Sequence, residues 1–135
     1  MKINIQSDKR KAESLLRMAK MTLQRLNKTD KLEYPSNTLD DYYDIIHQLL
    51  EAIALSNGIK IKGESAHYEL INYIFDNFIR DPLKKGFLQE LREYRNKISY
   101  EGFQINKNYI EQNDEKILEI ISILEKFAEK DISMR

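Results

Sequence analysis

The sequence predicts an all-α fold, an up-and-down antiparallel bundle of about five helices, and three observations predict it. The 135 residues include only four Gly and two Pro, and 33% are charged, a composition that favours helix over turn-rich sheet. Apolar residues recur at helical spacing in five separate stretches. The connections between them are short, which favours antiparallel neighbours, so no strand pairs are needed.

The first stretch runs roughly from Asp8 to Asn27, with Ala12, Leu15, Leu16, Ala19, Leu23 and Leu26 on one stripe. "KTDKLEYPSN" then breaks the pattern, and Pro35 disfavours helix at Tyr34. The second helix is read as starting with Asn37 at the N-cap and Asp40 three residues on, close to a capping box. It carries Leu39, Tyr42, Tyr43, Ile46, Leu49, Leu50 and Ile53, and stops at "SNG", where Gly58 suits a left-handed C-cap. "IKIKGES" is a short basic connector of extended character. The third helix is expected from about Ser65 to Ile79. "RDPL" opens the fourth, with Asp81 as cap and Pro82 at the first helical position, and the helix continues to about Ile98 or Ser99. "YEGFQIN" reads as a loop. The fifth helix is expected from about Asn106 to Lys130, with Ile110, Ile117, Ile120 or Ile121, Leu124 and Phe127 on its stripe.

This length fits one domain, residues 1–135, with one core. There is no cysteine, hence no disulfide framework, thiolate nucleophile or cysteine-based zinc site. No apolar run approaches the 20 or so residues of a membrane span, and the polar N-terminus lacks a signal-peptide hydrophobic region. A cytoplasmic protein without a membrane partner is the expectation. Net charge is zero but unevenly spread: nine Lys/Arg face three Asp/Glu over 1–31, two face eight over 32–79, and six face three over 80–97. Such asymmetry serves either a polyanion-facing side or packing between complementary segments.

Several chemistries are missing. The chain has no glycine-rich phosphate loop, dinucleotide fingerprint or helical His-Glu-x-x-His motif, so neither a cofactor nor a metal is expected. His47 and His67 fall on different helices without a partner at metal-site spacing, and read as packing or surface residues. The pairs Asp40–Asp41 and Asp114–Glu115 diverge on a helix and read as solvated. Of the aromatic residues, Tyr42, Tyr43, Tyr68, Tyr73, Phe75 and Phe78 could stack bases, but their helical spacing suits a core.

One stretch, "LREYRNKISYEGF", departs from that pattern. Phe87 or Leu88, Leu91 and Ile98 form an apolar stripe, and Arg95 falls on it, with Asn96 beside it and Tyr100 just after. A guanidinium placed there reaches water past its packed stem, pairs with a buried carboxylate, or lines a cleft and holds an anion. Glu90, Glu93, Glu101 or an acid on another helix could supply the carboxylate. Tyr94, Ile98, Tyr100 and Phe103 together form an apolar patch near the helix end. A homodimer would bury it, and a two-fold axis would bring both Arg95 side chains to one cleft.

"FLQELREYRNKISYEGF" resembles the signature end of the HEPN (higher eukaryotes and prokaryotes nucleotide-binding) helical domains. Upstream, "DYYDIIHQLLEAIALSNGIKIKGESAHYELINYIF" is similar to the family's preceding hairpin, so the likeness covers roughly Leu39 to Phe103. It implies a HEPN-like helical fold. It also implies metal-independent RNA cleavage, in which the arginine holds the phosphate while a histidine handles the proton as the 2′-hydroxyl attacks. Arg95 matches the family arginine and Asn96 its polar neighbour, and Tyr100 stands where the histidine is expected. The resemblance therefore implies Arg95, Asn96 and Tyr100 as catalytic positions and Arg92, Arg95 and Lys97 as RNA- or nucleotide-binding ones. A small nucleotidyltransferase is the implied protein partner, in a toxin–antitoxin or regulatory pair.

The arginine suits its part, being permanently charged and a planar fork of donors. A tyrosine suits the other part poorly, because a phenol with a reference pKa near 10 is about one part in a thousand ionised at pH 7. Weak or lost ribonuclease activity is thus expected. The alternative is a non-catalytic helical dimerisation or interaction module in which Arg95 makes a structural ion pair.

Overall fold

The computed structural model describes all 135 residues. In chain order it comprises β1 (Lys2–Asn4), α1 (Lys9–Asn27), α2 (Pro35–Ser56), β2 (Ile59–Ile61), α3 (Ala66–Ile74), a π-helical turn over Phe75–Ile79, α4 (Pro82–Glu101) and α5 (Lys107–Ser133). The all-α class and the five helices are as expected. No helix is long and apolar enough to cross a membrane.

Thirty buried apolar residues make one core. Its centre is α2, which buries Leu39, Tyr42, Ile46, Leu49 and Ile53 completely and packs against every other helix. Two of its polar groups are also anchored. The Tyr42 hydroxyl donates to Asp114 on α5, and burial with that carboxylate pushes the phenol strongly upward. Ser36 accepts the Ile105 N–H at 2.9 Å and thereby pins the loop after α4 to the start of α2. Asp114 also meets Lys31 at 3.5 Å, and Asp41 pairs with Arg25 at 2.9 Å. These acids, which read as solvated, are tied across helices.

Four local expectations are corrected. Strand pairing does occur: β1 and β2 form a two-stranded antiparallel ribbon with Ile3 opposite Lys60. Gly58 permits it. Its φ is +71°, and a Cβ there would lie 2.7 Å from the Ile5 carbonyl oxygen, whose own N–H donates to the Gly58 carbonyl. Next, α2 begins two residues before Asn37, because Pro35 occupies the first helical position where its missing N–H costs nothing. The third helix loosens into a π-turn that ends at Arg80 in the left-handed region. Finally, α4 runs on to Glu101 and stops at Gly102, whose φ of +67° suits a glycine C-cap. The expected cap at Asp81 is present, its side chain accepting the Lys84 N–H, and Asn106, expected only as the approximate start of the fifth helix, caps α5 by accepting the Asn108 N–H.

Candidate functional site

Only Phe87, Leu88 and Leu91 of α4 are buried in the core. Beyond Leu91 polar side chains stand beside the partly buried Tyr94 and Ile98, and there the helix meets the first turn of α3. The result is an open cleft of about 300 Å³ lined by Arg92, Arg95, Asn96 and Tyr100 from α4, and by residues 63–68 from the β2–α3 turn and the start of α3. Four of the residues singled out from sequence therefore share one cavity. Lys97 does not join them. It is exposed and sits over the rings of Tyr94 and Phe103 on another side of the helix.

Arg95 turns inward, with 23% of its side chain exposed. Its Nε stands 3.4 Å from Asp40 and its Nη2 3.9 Å from Asp44, both on α2, and its guanidinium lies over the Tyr43 ring at 5.5 Å. The acid partner is thus on another helix, and Glu90, Glu93 and Glu101 are not it. Although Nε of Arg95 and Oδ1 of Asp40 face each other, they are misaligned for a hydrogen bond, and each is buried without any other partner. Attraction is present, but hydrogen-bonding capacity is left over. Burial first, and the neighbouring Asp40 second, raise the Asp44 carboxyl, whereas Arg95 opposes the rise.

Arg92 is less committed. Its Nε donates to Gln89 at 2.7 Å and its guanidinium lies over the Tyr68 ring at 5.4 Å. The nearest acid, Glu93, is 3.9 Å away and exposed. Tyr100 projects at the rim, 80% exposed. Phe103 is 41% exposed, while Tyr94 and Ile98 pack partly against the core, so the apolar patch is smaller than its sequence spacing suggested.

The two histidines are closer than expected. The rings of His47 and His67 stack at 4.1 Å between centroids. His67 Nδ1 is 3.3 Å from the Tyr43 hydroxyl, and His47 Nε2 is 3.3 Å from Glu51. Burial, then His47 and Arg95, lowers the His67 pKa to about 4. Burial raises the Tyr43 hydroxyl to about 12 against the pull of Arg92 and Arg95. The hydrogen bond from His47 holds Glu51 below the usual carboxylate range. No group of three His, Asp or Glu converges as a metal site would require.

Sequence reasoning thus missed His67, Tyr68, Asp40 and Asp44 as members of this neighbourhood. A signal for part of it was present. Asp40, Asp44 (with Tyr43), His47 and Glu51 recur at helical spacing along α2, a polar stripe on an otherwise apolar helix. A comparison with family models, with curated proteins and with solved structures finds no match to this chain.

Proposed function

We propose that the protein is a HEPN-type RNA- or nucleotide-binding module, cytoplasmic and homodimeric, whose phosphate site is the α3–α4 cleft. The observation that carries this reading is that Arg92, Arg95, Asn96 and Tyr100 share one open cavity, with an exposed aromatic ring, Tyr68, on its wall. Paired guanidiniums recognise phosphate oxygens through their fork of donors, and an exposed ring offers a base a stacking surface. No side chain caps α3 at Ser65, so its first-turn N–H groups add a mild preference for anions on the same side. Glu64 opposes it from the rim.

Catalysis is weak or absent in this reading, because a hydroxyl rather than an imidazole stands at position 100. The implied partner is a small nucleotidyltransferase, and Tyr100 at the rim is open to contact. RNA cleavage in EDTA tests the chemistry. The parent should be slow, Tyr100→His faster by up to about 10²–10⁴-fold, and Arg95→Ala inactive. Light scattering tests the dimer, and a mass of one 16.1 kDa chain at micromolar concentration would contradict it.

A second reading has its own observation. Arg95 already faces Asp40 and Asp44, as it would in an interaction module where the arginine only clamps α4 to α2. The two readings differ in stability. A closed buried pair costs about 3–5 kcal/mol when one partner is truncated, whereas a cleft arginine costs little.

A further inference from the structure

We infer that His67 is a phosphate ligand of this cleft: from α3 it supplies the imidazole that position 100 lacks, and it becomes protonated when a phosphodiester of single-stranded RNA binds beside Arg92 and Arg95. The inference rests on the phosphate-site reading above and goes further by naming a ligand residue outside the α4 motif.

Geometry carries it. His67 forms part of the wall between two cavities. On one side is the cleft with Arg92, Arg95 and Tyr100. On the other is a smaller cavity of about 110 Å³ that holds His47 and Glu51. Its Nδ1 is occupied by the Tyr43 hydroxyl, which fixes the ring and leaves Nε2 as the nitrogen for a ligand. The stacked His47 ring supports it from behind.

The electrostatics act in the same sense. Several charged or titratable groups face the imidazole: Tyr43, His47 and Glu51 from α2, and Arg92 and Arg95 from α4. Lys11 of α1 and Lys60 of β2 line its second cavity, and Glu64 lies beside it in the cleft. In the free protein burial and the cations dominate, and the ring is neutral at pH 7. An anion placed among those arginines reverses the balance, since it attracts the proton that they repel. Binding and protonation are therefore linked, and affinity rises as pH falls toward the free-state value of about 4.

A phosphodiester is the appropriate probe, because it keeps one charge across this range while a monoester titrates near pH 6. Short oligouridylate adds no titrating base. Its affinity for the parent should rise by about tenfold between pH 7 and pH 5, the yield of partial uptake of one proton. His67→Gln, which keeps a polar side chain of similar reach, should flatten that dependence. Asp44→Asn should retain it, which separates His67 from the acid whose protonation would also release Arg95. In the parent, the His67 imidazole resonance should titrate at higher pH with saturating oligouridylate than without it. A pH slope that survives His67→Gln, disappears in Asp44→Asn or is missing from the parent would overturn the inference, as would an unmoved His67 titration. In those cases Arg95-dependent binding would leave the phosphate-site reading standing. No binding by the parent, or binding unchanged in Arg95→Ala, would overturn both.

Discussion

α2 and α4 are nearly equal in length, yet they use their inward faces differently. Of the 22 residues of α2, fourteen are buried, and the helix is enclosed by its neighbours. Of the 20 residues of α4, three are buried, and beyond Leu91 its inward side carries Arg92, Arg95 and Asn96 beside Tyr94 and Ile98, which are only partly buried against the core. The arginines set beside that thinning stripe mark where α4 begins to line a cavity as well as to complete the core.

That contrast predicts a gradient of mutational cost from the α2 core out to the α4 rim. At the core end, Leu49→Ala should cost about 2–5 kcal/mol, as should Leu88→Ala, because both side chains are fully buried. A urea melt measures each. A cost below about 1 kcal/mol at Leu88 would show that α4 is loosely attached along its whole length.

Next comes the histidine pair at the boundary. The folded-state value for His67, about 4, lies below its unfolded value of about 6.5. The unfolded chain therefore binds more protons between those limits, and stability falls as pH drops from 7 toward 4. Glu51 acts in the same direction, since its lowered carboxyl stabilises the fold above its unfolded value and loses that effect in acid. Asp44 acts oppositely, because its carboxyl is raised. Discounted for the partial exposure of the imidazole, the His67 contribution is about 1–2 kcal/mol. Urea midpoints at pH 7 and pH 4.5 should differ in the parent and differ less in His67→Gln.

Further out, Arg95→Ala should cost about 1 kcal/mol. Its acids are 41% and 50% exposed, so solvent absorbs much of what truncation leaves unpaired. A loss of 3–5 kcal/mol would favour the clamp reading instead. At the rim, Tyr100→Phe should change stability by no more than about 0.5 kcal/mol, as expected for an exposed side chain.

Much of this gradient was legible in the sequence, because local rules set it. Helical periodicity located the core faces, Asp81 marked the start of α4 through a hydrogen bond within one turn, and Pro82 marked it through a missing N–H that costs nothing at the first helical position. Arg95 was conspicuous because a charge interrupted an apolar stripe. What escaped depends on partners distant in the chain. Each ribbon strand has three residues, too few to show alternation, and β1 pairs with β2 across more than fifty intervening positions. His67 and His47 are twenty residues apart and meet only because α3 folds back on α2. Asp40 looked solvated for the same reason, and Asp44 gave no signal of its own, since their partner lies on a helix that a single-helix pattern cannot place.

In the phosphate-site reading, Arg95 is held by the α2 acids in the free protein and becomes available to phosphate in the bound one. Fluorescence anisotropy of labelled oligouridylate at pH 7 and low salt tests it most directly, with the parent, Asp44→Asn, Arg95→Ala and the double variant compared. Removing the competing carboxylate should tighten binding, and removing the guanidinium should weaken it by about tenfold or more, as for a charge-assisted contact. The gain from Asp44→Asn should vanish when Arg95 is absent. If Asp44→Asn and Arg95→Ala lower stability together and leave RNA affinity unchanged, Arg95 is a clamp between α2 and α4 and the claim is contradicted.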